Sequence, residues 1–291
     1  MTGMGTGGAV EAAAVARRVG SARRALSRHL EKVRLDSGKT YEQLAGMGLA
    51  RRSSWDRWRK RQALPKDSTV AWICQKLGVE RELADRMIDL ATRAHDGARP
   101  TWYEQEIGSL GYTPGFTTML ELEEIACRIR IFAPILVPGL LQTAAYQRAI
   151  FEVAPGLTTR NAERQADVRA GRQAVREAQR KRCIAVLSEA ALQLQVGGSE
   201  VMEEQIAYLL AQHATDHTDV LVRPASAGAH PGGRGEFTLL NFPVEASEPP
   251  FSYAEGYQGA ECSEDPQVLS DFEERWGIIM SNSVPIKEFV T

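Results

Sequence analysis

The sequence predicts an α+β fold: an all-α, five-helix helix-turn-helix domain, then a larger α+β domain with a small, mostly antiparallel sheet. Three observations carry that expectation. Residues 21–95 show five helical patterns and nothing resembling a strand. From Cys183 onward, β-rich runs alternate with Gly/Pro turns. Charge divides near residue 100, with 20 Lys+Arg against 11 Asp+Glu before it and 15 against 26 after it. A basic part joined to an acidic part predicts that the first meets a polyanion and the second does different work.

The 291-residue chain has room for two domains. Hydrophobic content of 43% and charged content of 25% exclude wholesale disorder. No stretch approaches the roughly 18 uninterrupted apolar residues of a spanning helix, so no membrane partner is expected. Residues 1–20, Gly-rich and then Ala-rich, lack the regions of a signal peptide and read as a flexible tail. Cys74, Cys127, Cys183 and Cys262 form no CxxC pair. That spacing argues against a zinc ribbon or disulfide framework and for a reduced, cytoplasmic protein.

Within the first domain, 21–95, "SARRALSRHLEKVRL" puts Ala22, Leu26, Leu30 and Val33 on one helical face. Gly38 breaks that helix, and Thr40 caps the next, "YEQLAGM". "GLA" is a tight turn into "RRSSWDRWRKR", a helix that stops before Pro65. "KDSTVAWICQKLG" and "ERELADRMIDLATRAH" complete the five, and 96–101 reads as the linker. The second domain, 102–285, opens with a helix expected over 120–132, where Leu120, Ile125 and Ile129 share a side. Two prolines make "APILVPGLLQT" extended or turned. Helices follow at "AAYQRAIFEVA" and 160–182, then "CIAVLSE", a capped helix at "GSEVMEEQIAYLLAQHA", three short strand-like runs and a last helix, "DPQVLSDFEERWGIIM". About four strands are expected.

Helix, Gly-containing turn, helix is the helix-turn-helix pattern. One short helix braces another that lies in the major groove, where Arg reaches guanine O6 and N7. Counting from Leu44, the apolar residues Leu44, Ala45, Ala50, Trp55 and Trp58 fall at the buried positions. Arg51, Arg52, Ser53, Asp56, Arg57 and Lys60 then face outward. The tryptophans, at spacing i,i+3, are expected to brace the helix rather than to stack on bases. Two indoles need small neighbours, and Gly46, Gly48 and Ala50 supply candidates.

Here the residues resemble a known family. "TYEQLA…SSWDRW…LPKDSTVAWICQKLG" is similar to the repressor-like (XRE-type) helix-turn-helix domain common in actinobacterial regulators. "VPGLLQTAAYQRAI" and "SAGAHPGGRGEFTLLNFP" resemble the large C-terminal domain of antitoxin-like regulators typical of Streptomyces. The resemblance implies a transcriptional regulator that binds double-stranded DNA, as a dimer working with a small acidic partner protein. It carries over no enzymatic assignment for the C-terminal domain, and no cofactor is expected. The chain departs from the family pattern in its turn, Gly48-Leu49-Ala50, where the Gly is shifted and a staple residue is lost.

Arg51, Arg52, Ser53 and Arg57 are the base-edge candidates. Lys39, Thr40, Lys60, Arg61 and Lys66 are the phosphate candidates that fix register. Asp56 could accept from a cytosine amine but would repel phosphate. The C-terminal domain is expected to supply homodimerisation, partner binding or a pocket for a small-molecule ligand. A rival reading makes the helix-turn-helix degenerate and gives the C-terminal domain small-molecule binding or conversion in secondary metabolism; a third makes the chain a pure interaction module.

Other features carry less. Arg169, Arg172, Arg176 and Arg180 form a stripe read as structural, with a second phosphate surface as the alternative. His213 and His217 stand i,i+4 but lack an evident third metal ligand. "AGAHPGGRGEF", 227–237, fits no phosphate-binding loop and reads as a hairpin connection, with His230 and Glu189 structural.

Overall fold

The computed structural model describes residues 22–60, 62–95, 114–246, 248–256 and 259–290. The expected tail (1–20), the expected linker (96–101) and Arg61 lie outside the described residues. Two compact units divide the chain between Gln105 and Glu106.

In the first unit, α1 (22–36), α2 (Tyr41–Gly46), α3 (Arg52–Arg59), α4 (Asp67–Leu77) and α5 (Arg81–His95) enclose one apolar core. The expected face of α1 is buried: Ala22, Leu26, Leu30 and Val33, joined by Ala25. Leu44, Leu49, Val70, Ile73, Met87 and Leu90 fill the centre. Thr40 and Gln43 form a reciprocal capping box that starts α2. Gly78, at φ 65°, ends α4 in the left-handed conformation that glycine adopts without steric cost.

The second unit runs α6 (Pro114–Ile125), β1 (Arg128–Ala133), α7 (Ala144–Glu152), α8 (Thr159–Ala178), β2 (Arg182–Ser188), α9 (Glu189–Gln193), α10 (Ser199–His213), β3 (Thr218–Arg223), β4 (Phe237–Asn241), β5 (Phe251–Gly256), β6 (Gly259–Ser263), α11 (Pro266–Ser281), β7 (Val284–Pro285) and α12 (Ile286–Phe289). Its sheet has seven strands in the order β6-β5-β4-β1-β2-β3-β7. β1, β2 and β3 are parallel, and antiparallel strands flank them on both sides. The sheet is therefore larger than the small, mostly antiparallel one expected, and its centre is parallel. The reason is in the strands: "CIAVLS" is a nearly continuous apolar run and "VLV" of β3 carries three apolar residues in a row, the mark of covered parallel strands.

Period-2 alternation divides the core in two. Ala133, Ala185, Leu187, Val220 and Val222 pack with residues of α7, α9, α10 and α12. Phe132, Val186, Phe237 and Leu239 pack on the other face with Trp276 and Ile279 of α11. The result is a three-layer sandwich.

Two local expectations are corrected. The helix expected over 120–132 stops at Ile125, and Arg128–Ala133 is a strand. Its Ile129 and Ile131 point to one face while Arg130 and Phe132 point to the other, a period of two that outranks the helical count. Arg130 is bound by Glu273 of α11 through two hydrogen bonds of 2.5 Å. Residues 227–237 are not a hairpin: they lead from β3 to β4, which lies beyond β2 and β1. Gly232 makes that crossing fit, since a Cβ there would stand 2.5 Å from Phe132 Cε1 and 2.8 Å from Ile279 Cδ1.

Candidate functional site

On α3, the two tryptophans are core residues, 2% and 7% exposed. Their rings meet edge to face at 5.0 Å. The Trp55 indole N–H donates to the Ala50 carbonyl at 3.0 Å, tying the helix to the turn before it. The Ser27 hydroxyl of α1 donates to the Trp58 carbonyl at 2.8 Å and so holds the end of α3. Room for the indoles does not come from the glycines, since a Cβ at Gly46 or Gly48 would meet nothing within 4 Å. The buried set is Leu44, Leu49, Trp55 and Trp58, while Ala45 is exposed and Ala50 half-buried. Leu49 thus occupies the staple position counted as lost, and Gly48, at φ 77°, turns the chain to deliver it.

Opposite the tryptophans, Arg51, Arg52, Ser53, Arg57 and Lys60 are exposed. Asp56 sits among them, 3.8 Å from Arg52 and 3.7 Å from Arg59. Pairs this exposed contribute little to stability, but they offset the charge of Asp56 along the helix. Arg52 also lies over the Tyr41 ring at 5.5 Å, which positions it beside α2. Thr40 is committed to its cap, Lys39 stands just before it, and Lys66 caps α4 without a side-chain bond. The folded unit thus keeps Arg52, Ser53, Asp56 and Arg57 together on α3, with Arg51 and Lys60 as its caps; Lys39, Thr40 and Lys66 lie on the turns around it.

A second site lies in the larger unit, where sequence reading named only its arginines. An open cavity of about 630 Å³ is lined by α6, the 136–142 loop, the end of α7, the first two-thirds of α8, and β1, β4 and β5. Its floor is a cross-strand row, Ile131–Thr238–Tyr253, fixed by the β1–β4 and β4–β5 registers. Two residues along from Thr238 and Tyr253, Glu236 and Glu255 reach the same face.

The wall is built by "PGLLQT". Gln142 donates to the Val137 carbonyl at 2.6 Å, Gln173 to the Gln142 carbonyl at 2.8 Å and Gln205 to the Leu141 carbonyl at 2.7 Å. Three glutamines therefore satisfy the backbone of a loop too tight to satisfy itself. Arg169 crosses Gly139, where a Cβ would stand 3.3 Å from its Nε, and donates to the Gln142 amide. Arg172 is bidentate to Glu123 at 2.8 and 2.7 Å, nearly out of water. Its guanidinium lies over the Phe116 ring, which in turn meets Tyr253 edge to face at 6.2 Å.

Electrostatics mark Glu236. Burial first, and the Glu255 carboxylate second, push its carboxyl up to about 7, against the pull of Arg172 and Arg169. Part of its surface still faces the cavity. Burial likewise pushes the Tyr253 phenol well above its ordinary value, and its hydroxyl has no hydrogen-bond partner among the described residues.

The family model of a domain of unknown function, DUF5753, matches residues 116–288, more than half the chain. The chain belongs to that family. No curated protein and no solved structure matches it. Every residue lining the cavity falls within the DUF5753 domain. So does the arginine stripe, which proves structural: Arg176 is 2% exposed and bonds Thr218 at 2.9 Å, and Arg180 pairs with Asp216. His213 accepts from the Val220 N–H at 3.2 Å, and His217 is held by Glu177 and Asp216. Glu189 accepts from the Ala225 N–H at 2.7 Å, and the His230 ring accepts from Gly232 at 3.2 Å. Among the described residues no His/Cys/Asp/Glu group could hold a metal ion, and no helix is long and apolar enough to cross a membrane. Glu236, Tyr253 and Glu255 escaped sequence reading because their convergence needs strands β4 and β5 to be paired. The one local signal was a single glutamate at one end of each strand-like run, "EFTLLN" and "FSYAEG".

Proposed function

We propose that this DUF5753 protein is a DNA-binding transcriptional regulator whose first unit docks α3 in a major groove, as half of a homodimer. The observation that supports it is the division of α3 into two faces. Trp55 and Trp58 anchor one in the core, while Arg51, Arg52, Ser53 and Arg57 occupy the other. Helix α2 supports α3 through the Leu49 turn, the brace that a recognition helix requires. Arg51, Arg52, Ser53 and Arg57 read base edges; Lys39, Thr40, Lys60, Arg61 and Lys66 contact phosphates; Asp56 accepts from a cytosine amine or screens against mismatched sites.

A random-library DNA selection at physiological salt, followed by binding isotherms, tests the reading. Arg51→Ala should relax preference at one base position, by about 1–3 kcal/mol of discrimination. Lys60→Ala should weaken binding to all sequences alike and flatten the salt dependence by about one ion. Absence of salt-dependent DNA binding overturns it.

A second reading draws on the cavity, which has the size and mixed lining of a ligand site. In it the DUF5753 domain holds a small molecule, as the sensor of the same regulator or as the chain's main activity. A small acidic partner protein remains the third role proposed for this domain.

A further inference from the structure

The polar groups around the cavity divide into those already satisfied and those that are not. Both guanidiniums are engaged: Arg172 with Glu123, and Arg169 with Gln142 and, at 5.4 Å, the Phe151 ring. The carboxylates of Glu236 and Glu255 make no hydrogen bond or ion pair among the described residues. The Tyr253 hydroxyl, on a residue 5% exposed that pairs with Thr238 beside them, is buried and equally without a partner. What this end of the site lacks is a donor with positive charge. The opposite part of the lining mixes the apolar Met119, Ile131, Leu140, Ile150, Phe151 and Leu157 with the uncharged polar Asn161 and Gln165.

We propose that the cavity of the DUF5753 domain binds a small organic cation, an ammonium group carried on an apolar body, with the nitrogen held by Glu236, Glu255 and Tyr253. A positive nitrogen favours the ionised form of Glu236 beside Glu255 and gives the phenol oxygen a donor, while the body displaces water from the apolar part of the lining. An anionic ligand would meet the two glutamates, while the two guanidiniums that could attract it are already bonded to Glu123 and Gln142. A bare metal ion would leave most of the 630 Å³ unfilled. The inference stands whether or not α3 touches DNA.

Proton linkage follows from the groups that face Glu236: Glu255 and Tyr253 on β5, Arg169 and Arg172 on α8, and Glu123 on α6. In the empty cavity the Glu236 carboxyl holds a proton up to about pH 7. A bound cation favours the carboxylate, so binding releases that proton. Affinity should rise by about tenfold between pH 6 and pH 8.

The test is calorimetric titration of the full chain with three matched probes: 4-phenylbutylamine, 4-phenylbutanol and 4-phenylbutyrate. The amine should bind, about tenfold tighter at pH 8 than at pH 6, with heats that vary with buffer ionisation because a proton is released. The alcohol and the acid should bind at least tenfold more weakly. Glu236→Gln and the rim variant Glu255→Gln should each weaken the amine about tenfold or more, with the fold verified by circular dichroism. No binding of the amine, equal binding of the acid, or amine binding unchanged in both variants overturns the proposal. No DNA enters the readout, so this inference and the DNA-binding reading fail separately.

Discussion

At the scale of single residues, two titratable groups give the two units opposite responses to pH. His29, on α1, is partly buried and its Nε2 has no partner among the described residues. Burial first, then the charges of Arg28, Arg86 and Lys32, lower its imidazole to about 4. The folded unit therefore keeps it neutral, while the unfolded chain takes up a proton near the ordinary value of 6.5. Its contribution is whole above that value and is lost as pH falls toward 4. Scanning calorimetry should show the transition of the first unit falling between pH 7 and 5, and His29→Gln should flatten that slope. Glu236 runs the other way, because its carboxyl is raised and holds its proton in the folded state. The cost of ionising it is complete above pH 7 and disappears as pH falls to the ordinary carboxyl range. Glu236→Gln should stabilise the second unit by about 1–2 kcal/mol at pH 8 and by almost nothing at pH 4. A larger gain at pH 4 than at pH 8 would contradict the assignment.

At the scale of elements, glycines in one segment have different duties. Gly232 is packed against Phe132 and Ile279, whereas a Cβ at Gly233 would meet nothing within 4 Å. Gly232→Ala should lower the stability of the second unit by about 1–3 kcal/mol through overpacking, while Gly233→Ala stays near neutral. Chemical denaturation of both variants checks the contrast. Helix α3 offers a similar one. Trp55→Phe keeps most of the buried area but removes the bond to Ala50 that joins the helix to its turn. It should cost about 1 kcal/mol of stability and weaken the proposed DNA binding more than that loss alone accounts for.

At the scale of the whole molecule, charge is the feature that no single element holds. The basic residues before position 100 and the acidic surplus after it give the two units opposite signs, although the net charge is only −2. The first unit has its own core, drawn entirely from residues 22–94. A fragment covering residues 1–100 is expected to fold and to bind non-specific DNA about tenfold tighter than the full chain at low salt. The acidic unit adds long-range repulsion, so the difference should shrink once the Debye length falls to about 5 Å. Fluorescence anisotropy across a salt series checks it, and a fragment that binds more weakly than the full chain would oppose it.

The five helices of the first unit, the buried Trp pair and the outward arginines were legible in the sequence, because a helix declares its buried face within a few local turns. The long amphipathic and capped helices of the second unit were legible for the same reason. Strand β1 was misread since "RIRIF" carries both an apolar period of two and, with Leu120 and Ile125, a credible helical count; only pairing with β2 and β4 settles which one is used. The short edge strands β6 and β7, one polar and one containing Pro285, have no local signature at all. The cavity belongs to the same class of fact. Its arginines come from α8, its wall from "PGLLQT" and its carboxylates and phenol from β5 and the residue that leads into β4, segments separated by more than a hundred residues. Sequence alone determined the helical unit, the charge division and the identity of the groups. Tertiary structure decided which of them meet, because sheet register and crossover connections, not local periodicity, set the distances between Glu236, Tyr253 and Glu255.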